Sequence, residues 1–233
     1  GWTAGALLVA ASAQLTDSHV RISADDYRRW TADVHPDLMA DVVETWGEAP
    51  GRLFVNESRE IVLATLQAGN VVLLIQPPRG FGENPVAIYH SPDMAPSHHY
   101  LAAYRWLERG FQANAVVHLG KHGSMEWLPG KNAALSASCA TDAVIGNLPL
   151  IYPFLVNDPG EGAQAKRRAH AVLVENIGDR LGVAYVGLHE RDAVGVLFEQ
   201  VLQVCEVAGV GELVERHQLH GLAALNEHAH EVR

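Results

Sequence analysis

An unbroken run of β-branched and aliphatic residues, Val71 to Ile75, set between Asn70 and Gln76 and stopped by Pro77-Pro78, constrains this chain more than any other feature. A short apolar run without alternation is the pattern of a strand covered on both faces, and such strands belong to parallel sheets. A parallel neighbour needs a crossover, and the chain supplies its parts. A Pro- and Gly-rich loop over 76–96 leads to His98 to Phe111, whose apolar positions Leu101, Tyr104 and Leu107, with Ala102 and Trp106, predict an amphipathic helix closed by Gly110. Ala115 to Leu119 then reads as a second strand, giving a βαβ unit of right-handed crossover. Ile151 to Asn157, the glycine loop Asp158 to Gly162 and a helix over 163–177 repeat the plan.

The predicted fold class is therefore α/β: a mostly parallel sheet built from βαβ units, with flanking helices and a helical C-terminal tail over 193–207 and 212–233. We expect a single segment spanning 1–233, with a motif-rich core at 50–180 and the tail at 190–233. Upstream, Asp25 to Trp46 carries Tyr27, Trp30, Val34, Leu38, Val42, Val43 and Trp46 at near-helical spacing broken at Pro36, which predicts two short helices. Glu57-Ser58-Arg59 predicts a turn between two short extended pieces.

The bulk properties narrow the function. Of the 233 residues 48% are hydrophobic and 19% charged, the balance of a chain able to bury a core. The net charge is −10 and the basic residues are dispersed, which argues against a nucleic-acid partner. Cys139 and Cys205 lie far apart without CxxC spacing, as in a reducing cytoplasm. Ala11-Ser12-Ala13 has the small-residue pattern of a signal-peptide cleavage site, yet no Lys or Arg precedes it. No run reaches the ~18 apolar residues of a membrane span. The missing initiator Met suggests a segment excised from a longer protein.

Ligands of open α/β sheets sit outside the carboxyl ends of the strands, so the polar loops over 76–85 and 118–131 are the candidate site. The second loop spaces His118, His122 and Glu126 by four residues, with Lys121 beside His122. Imidazole and carboxylate suit ions such as Co²⁺ or Zn²⁺. A hydrogen-bonded His118 and a His122 that fixes the turn would leave the same pattern, and the helical HExxH of zinc hydrolases is missing. Gly80 and Gly82 can bring backbone amides to an anion beside Arg79, or serve a rigid surface connection. No GxxxxGK[ST] occurs, so ATP hydrolysis is not expected of this chain. Lys166-Arg167-Arg168 is expected in the first turns of its helix, by default on a solvated face. His98 and His99 open the crossover helix, either as exposed imidazoles at the cleft mouth or as ordinary helix-entry residues. His217, His220, His228 and His230 read as exposed helix positions.

The stretch His118-Leu-Gly-Lys-His-Gly-Ser-Met-Glu-Trp-Leu-Pro-Gly-Lys131 resembles the hallmark segment of the family formed by cobaltochelatase large subunits and magnesium chelatase H-type subunits. Gln76-Pro-Pro-Arg-Gly-Phe-Gly-Glu83, Tyr89-His-Ser-Pro-Asp93, His98 to Leu107, Ile145-Gly-Asn-Leu-Pro149 and Asn157 to Arg168 resemble further family motifs, in the family's order. Lys121, where magnesium-type members carry Thr, Gly160-Glu-Gly-Ala-Gln164 and the Tyr-His-Ser-Pro-Asp segment place the resemblance nearer the cobalt branch. Family members are far longer than this chain, which is thus expected to be an internal fragment, inactive alone.

The resemblance implies a tetrapyrrole-binding subunit, a ligase forming nitrogen–metal bonds. It would insert Co²⁺, the substrate metal, into hydrogenobyrinic acid a,c-diamide in aerobic cobalamin biosynthesis. ATP and Mg²⁺ are then expected on AAA+ partner subunits of the CobS/CobT type. By the same resemblance His118, His122 and Glu126 would guide the metal, Glu126 and His122 would act catalytically, and Arg79, Lys121 and Lys131 would pair with peripheral carboxylates. Trp127 would stack on the macrocycle or pack as a structural indole. Two alternatives stay open: an H-type magnesium chelatase component inserting Mg²⁺ into protoporphyrin IX, and a non-catalytic scaffold.

Overall fold

The computed structural model describes residues 20–79, 91, 93–118, 123–153 and 159–174. The predicted tail helices and the apolar first residues lie outside them. Residues 1–65 and 74–175 form one unit and 66–73 with 176–233 a second; the candidate site belongs wholly to the first.

Strand β1 (Val20–Ile22) leads into helix α1 (Ala24–Trp30). Ser23 caps this helix, its Oγ accepting the Asp26 N–H at 3.0 Å. Asp25 and Asp26 lie in the first turn and Arg28 and Arg29 in the last, the polarity the helix dipole favours. Pro36 separates the two helices as predicted, because it opens α2 (Pro36–Trp46), where its missing N–H costs nothing. Strand β2 (Ile61–Leu63) pairs antiparallel with β1, Val20 opposite Leu63. The turn before it forms where predicted: Val55 bridges Ile61 and Arg59 takes φ +61°.

The apolar run does form a strand, β4 (Val71–Leu74), but not the one predicted. It pairs with β3 (Thr65–Ala68) in a two-stranded sheet, and its residues are half-buried along their length. Gly69-Asn70, with Gly69 at φ +55°, is a two-residue turn that returns the chain antiparallel. Local turn chemistry therefore claimed a strand that composition alone assigned to a buried crossover.

The parallel sheet is built further along, from β5 (Val116–Val117), β6 (Leu150–Pro153) and β7 (Val172–Val174), in that order. Val116 lies opposite Leu150, and Ile151 opposite Val172. Helices α3 (His98–Arg105), α4 (Ala140–Ile145) and α5 (Pro159–Arg168) complete the described elements, α4 and α5 being the two crossovers. The fold is thus α/β with βαβ units, though different units from the anticipated ones. The helix predicted over 163–177 begins at Pro159 and ends at Arg168, and part of its expected length is strand β7. Lys166, Arg167 and Arg168 consequently occupy the last turn, where cations complement the dipole. Among the described residues no helix is long and apolar enough to cross a membrane.

Helix α3 is buried on every side rather than amphipathic, packed against α1, α4 and β2. Ser97 caps it, accepting the Tyr100 N–H at 3.2 Å, and a π turn over Trp106–Gly110 extends it. The imidazoles at its start are interior groups, not cleft residues. His98 Nε2 donates to the Gly47 carbonyl, so Nδ1 accepts from Tyr27 Oη, both at 2.8 Å. His99 Nε2 donates to the Val62 carbonyl at 3.0 Å. At the far end Arg105 pairs with Glu108 at 2.9 Å, and Glu108 also accepts the Asn147 N–H beyond α4.

Burial brings the His99 imidazole down from 6.5 to about 4, against the opposing pull of its bond to Val62. The unfolded chain takes up a proton near 6.5 while the folded one resists, so this contribution to stability is complete above pH 6.5 and lost as pH falls towards 4. The expected loss is about 3 kcal/mol. Urea unfolding of wild type and His99→Phe at pH 7 and pH 4 measures it; parallel pH slopes would refute it. Leu101, 0% exposed at the centre of α3, should cost about 2–5 kcal/mol as Leu101→Ala in the same assay.

Candidate functional site

His118 follows β5 directly, and its N–H still donates to the Ile151 carbonyl of β6 at 2.8 Å. The imidazole therefore leaves the sheet at the carboxyl end of a parallel strand. Its ring meets the Tyr152 ring edge-on, with centroids 4.5 Å apart. A single 3-10 turn, Met125–Trp127, then carries Glu126, which is only 2% exposed. Glu126 Oε1 accepts the Gly123 N–H at 3.2 Å. A Cβ on Gly123 would lie 2.9 Å from His118 Nε2 and 3.1 Å from Glu126 Oε2. Imidazole and carboxylate thus converge on one point, and glycine leaves the room for them to do so.

Both crossover helices grip this turn. Thr141 of α4 donates its hydroxyl to the Met125 carbonyl at 3.1 Å. Arg168, in the last turn of α5, donates Nη1 to the Glu126 carbonyl at 2.9 Å and Nη2 to the Leu128 carbonyl at 2.6 Å. From the first turn of α5, Glu161 Oε2 accepts the Trp127 indole N–H at 2.7 Å.

Tyrosines surround the carboxylate. Tyr100 and Tyr104 stack at 5.5 Å in α3, and Gln76 Nε2 donates to both hydroxyls, at 3.3 and 3.0 Å. The Tyr100 hydroxyl also pairs with Ser124 Oγ at 3.0 Å. Burial pushes the Tyr104 phenol up to about 12 and raises Tyr100 well above its usual range. Burial does the same to Tyr152, with the charges of Glu126 and Glu161 adding to it. All three phenols remain protonated near neutral pH.

Of the residues singled out from sequence, His118, Glu126 and Trp127 come together here. Lys121 and His122 lie outside the described residues. Among the described residues no three His, Cys, Asp or Glu side chains are grouped to hold a metal; His118 and Glu126 stand at Gly123 as two. Arg79 is 1% exposed and donates to the Ser91 and Met94 carbonyls at 2.9 and 3.3 Å. Lys131 is exposed, and its backbone N–H donates to Cys139 Sγ at 3.4 Å. Trp127 is half-buried with its indole edge bound. Of the basic triplet, Lys166 and Arg167 are exposed and Arg168 is buried. Sequence reasoning passed over Gln76, Tyr100, Tyr104, Ser124 and Tyr152 as site residues. The four-residue spacing of the two α3 tyrosines was the available signal, and only Tyr104 entered the reading, as one apolar position of the helix.

A βαβ core with a buried carboxylate and an imidazole at a strand's carboxyl end defines an α/β segment whose polar groups gather where open sheets of this class hold ligands. A family model described as CobN/Magnesium Chelatase matches residues 4–177, and the chain belongs to that family. The aerobic cobaltochelatase subunit CobN of Pseudomonas aeruginosa is 47% identical over 156 residues, 67% of this chain and 12% of that protein. The magnesium-chelatase H-type subunit of Rhodobacter capsulatus is 36% identical over 162 residues, 68% of this chain and 14% of that protein. The solved catalytic subunit of cobaltochelatase from Mycobacterium tuberculosis aligns with a TM-score of 0.63 at 48% identity, covering 91% of this chain and 20% of that one. The chain thus spans about an eighth of the length of these curated relatives.

Convergence at Gly123 has a measurable signature. Gly123→Ala should destabilise the chain by about 1–3 kcal/mol in urea unfolding. Combined with Glu126→Ala, it should cost less than the sum of the two single changes, because one clashing group has gone. Strictly additive effects would place Glu126 away from Gly123.

Proposed function

We propose that this chain is the part of a tetrapyrrole metal chelatase large subunit that carries metal-guiding and proton-accepting groups, and that the enzyme inserts Co²⁺ into hydrogenobyrinic acid a,c-diamide in aerobic cobalamin biosynthesis. The observation that carries the reading is the meeting of His118 and Glu126 around Gly123. The higher identity to CobN, 47% against 36% for the magnesium-chelatase relative, supports the cobalt branch.

Insertion exchanges N–H bonds of the macrocycle for nitrogen–metal bonds: a divalent ion enters and ring-nitrogen protons leave, one from a corrin and two from a porphyrin. A base must receive each proton, and the ion's carriers must release it. Glu126 is the base and, with His118 and His122, the guide of the ion; His122 assists the proton transfer. Lys121 and Lys131 pair with peripheral carboxylates of the substrate. Arg79, whose Nη2 is engaged by main-chain carbonyls, adds positive potential. Trp127, its edge held by Glu161, offers a face to the macrocycle. ATP and its Mg²⁺ act on AAA+ partner subunits of the CobS/CobT type, and the complex works in the cytoplasm. The second reading, Mg²⁺ insertion into protoporphyrin IX, draws on the likeness to the magnesium-chelatase relative.

Spectroscopic titration of the full-length protein with both macrocycles, followed by insertion assays with the ATPase partners, separates the readings. The corrinoid should bind and protoporphyrin should not. Glu126→Gln should keep corrinoid affinity and lose insertion by about 10²- to 10⁴-fold. Preferential binding of protoporphyrin would overturn the cobalt assignment, and undiminished insertion by the variant would overturn the role of Glu126.

A further inference from the structure

Arg168 has no part in the chemistry described so far, yet among the described residues it is the cation bonded to the turn that carries Glu126. It is 4% exposed, although Lys166 and Arg167 beside it face solvent. Its two terminal nitrogens reach the carbonyls on either side of Trp127, those of Glu126 and Leu128, residues 42 and 40 positions away in sequence. A guanidinium can hold two acceptors at once because its donors form a rigid planar fork, which an ammonium cannot reproduce. Both bonds go to main chain, so the arginine fixes the backbone that carries the Glu126 carboxylate. Glu161, seven residues earlier on the same helix, fixes the Trp127 indole between those two carbonyls. The whole 3-10 turn is therefore registered against one rigid body, α5, from both ends of that helix. The Thr141 hydroxyl on the Met125 carbonyl closes the third side.

We infer that Arg168 is the positioning residue of this site, holding the Met125–Trp127 turn so that Glu126 and His118 meet around Gly123. The inference rests on the proposed chelatase reading. A catalytic group must be held to within a fraction of an ångström, and supporting contacts of this kind are what hold it. The helix that supplies Arg168 is also the crossover between β6 and β7, so the same element closes the sheet and sets the turn.

The test uses the full-length protein with its ATPase partners and hydrogenobyrinic acid a,c-diamide, comparing wild type with Arg168→Gln and Arg168→Lys. Arg168→Gln should lower kcat on the order of 10- to 100-fold, as changes to residues that support a metal-handling group do. KM for the macrocycle should stay within about two-fold, the mark of a contact that acts on the chemical step. Arg168→Lys should recover part of the loss, since it keeps the charge and a hydrogen bond to one of the two carbonyls. Hydrogen exchange resolved by peptide should show faster exchange over 123–131 only. Unchanged kcat in Arg168→Gln overturns the inference, as does a joint loss of kcat and macrocycle affinity with faster exchange throughout 93–174. A wild type that inserts no metal into either macrocycle overturns the functional reading and the inference with it; an active wild type beside an unaffected variant overturns the inference alone.

Discussion

A carboxylate at 2% exposure is the demand around which the described unit is arranged. Taking an ionised carboxyl out of water costs several kcal/mol unless nearby groups replace the lost hydration. At Glu126 those groups arrive from separate parts of the chain. Gly123 supplies an N–H and Arg168 brings a cation from α5, while the charge of Glu126 helps to hold the phenols of α3 and β6 in their neutral form. No two neighbouring elements could assemble this set alone. The site therefore exists only once the parallel sheet and its two crossovers have formed, which makes it a product of the tertiary fold and not of the loop that carries it.

The same demand explains why α3 is covered on every side. A helix that lends Tyr100 and Tyr104 to Gln76 and Ser124 on one face, and His98 and His99 to α1 and β2 on others, has no face left for water. Its histidines are usable as interior groups because each can be neutral and donate from one nitrogen alone. An amphipathic pattern was an incomplete reading, since His98, His99 and Tyr100 were left out of the apolar positions although their rings are buried with the rest.

What the sequence made legible follows from distance along the chain. His118, Gly123, Glu126 and Trp127 were findable because one loop holds them, and the rule that places ligands at strand ends located that loop. Arg168 was not, because its partners lie 40 and 42 residues away and nothing in Lys166-Arg167-Arg168 marks which of three cations turns inward. Helix phase could have marked it had the helix been started at Pro159. The misplaced start also moved the triplet to the wrong end. The run Val71 to Leu74 misled for a related reason: apolar continuity reports burial, but the Gly69-Asn70 turn decides the partner. The class of fold survived both errors because a parallel sheet can be drawn from any βαβ pair, whereas the site depends on which pair it is.

A donor pair of imidazole nitrogen and carboxylate oxygen bears on the metal itself. Mg²⁺ takes oxygen ligands and sheds water reluctantly, while Co²⁺ accepts imidazole readily. On the proposed reading, His118 beside Glu126 therefore favours cobalt on chemical grounds that owe nothing to sequence identity. Transfer adds a second requirement. A closed tetrahedral cage keeps its ion, whereas an ion passed to a macrocycle must have positions the incoming nitrogens can occupy. On the proposed reading, two donors, one at the end of β5 and one on a turn bolted to a helix, would meet that requirement, since a pair leaves positions open. On the same reading, the rigidity that Arg168 and Glu161 give the turn would serve release as well as folding, because a ligand that cannot follow the departing ion lets it go.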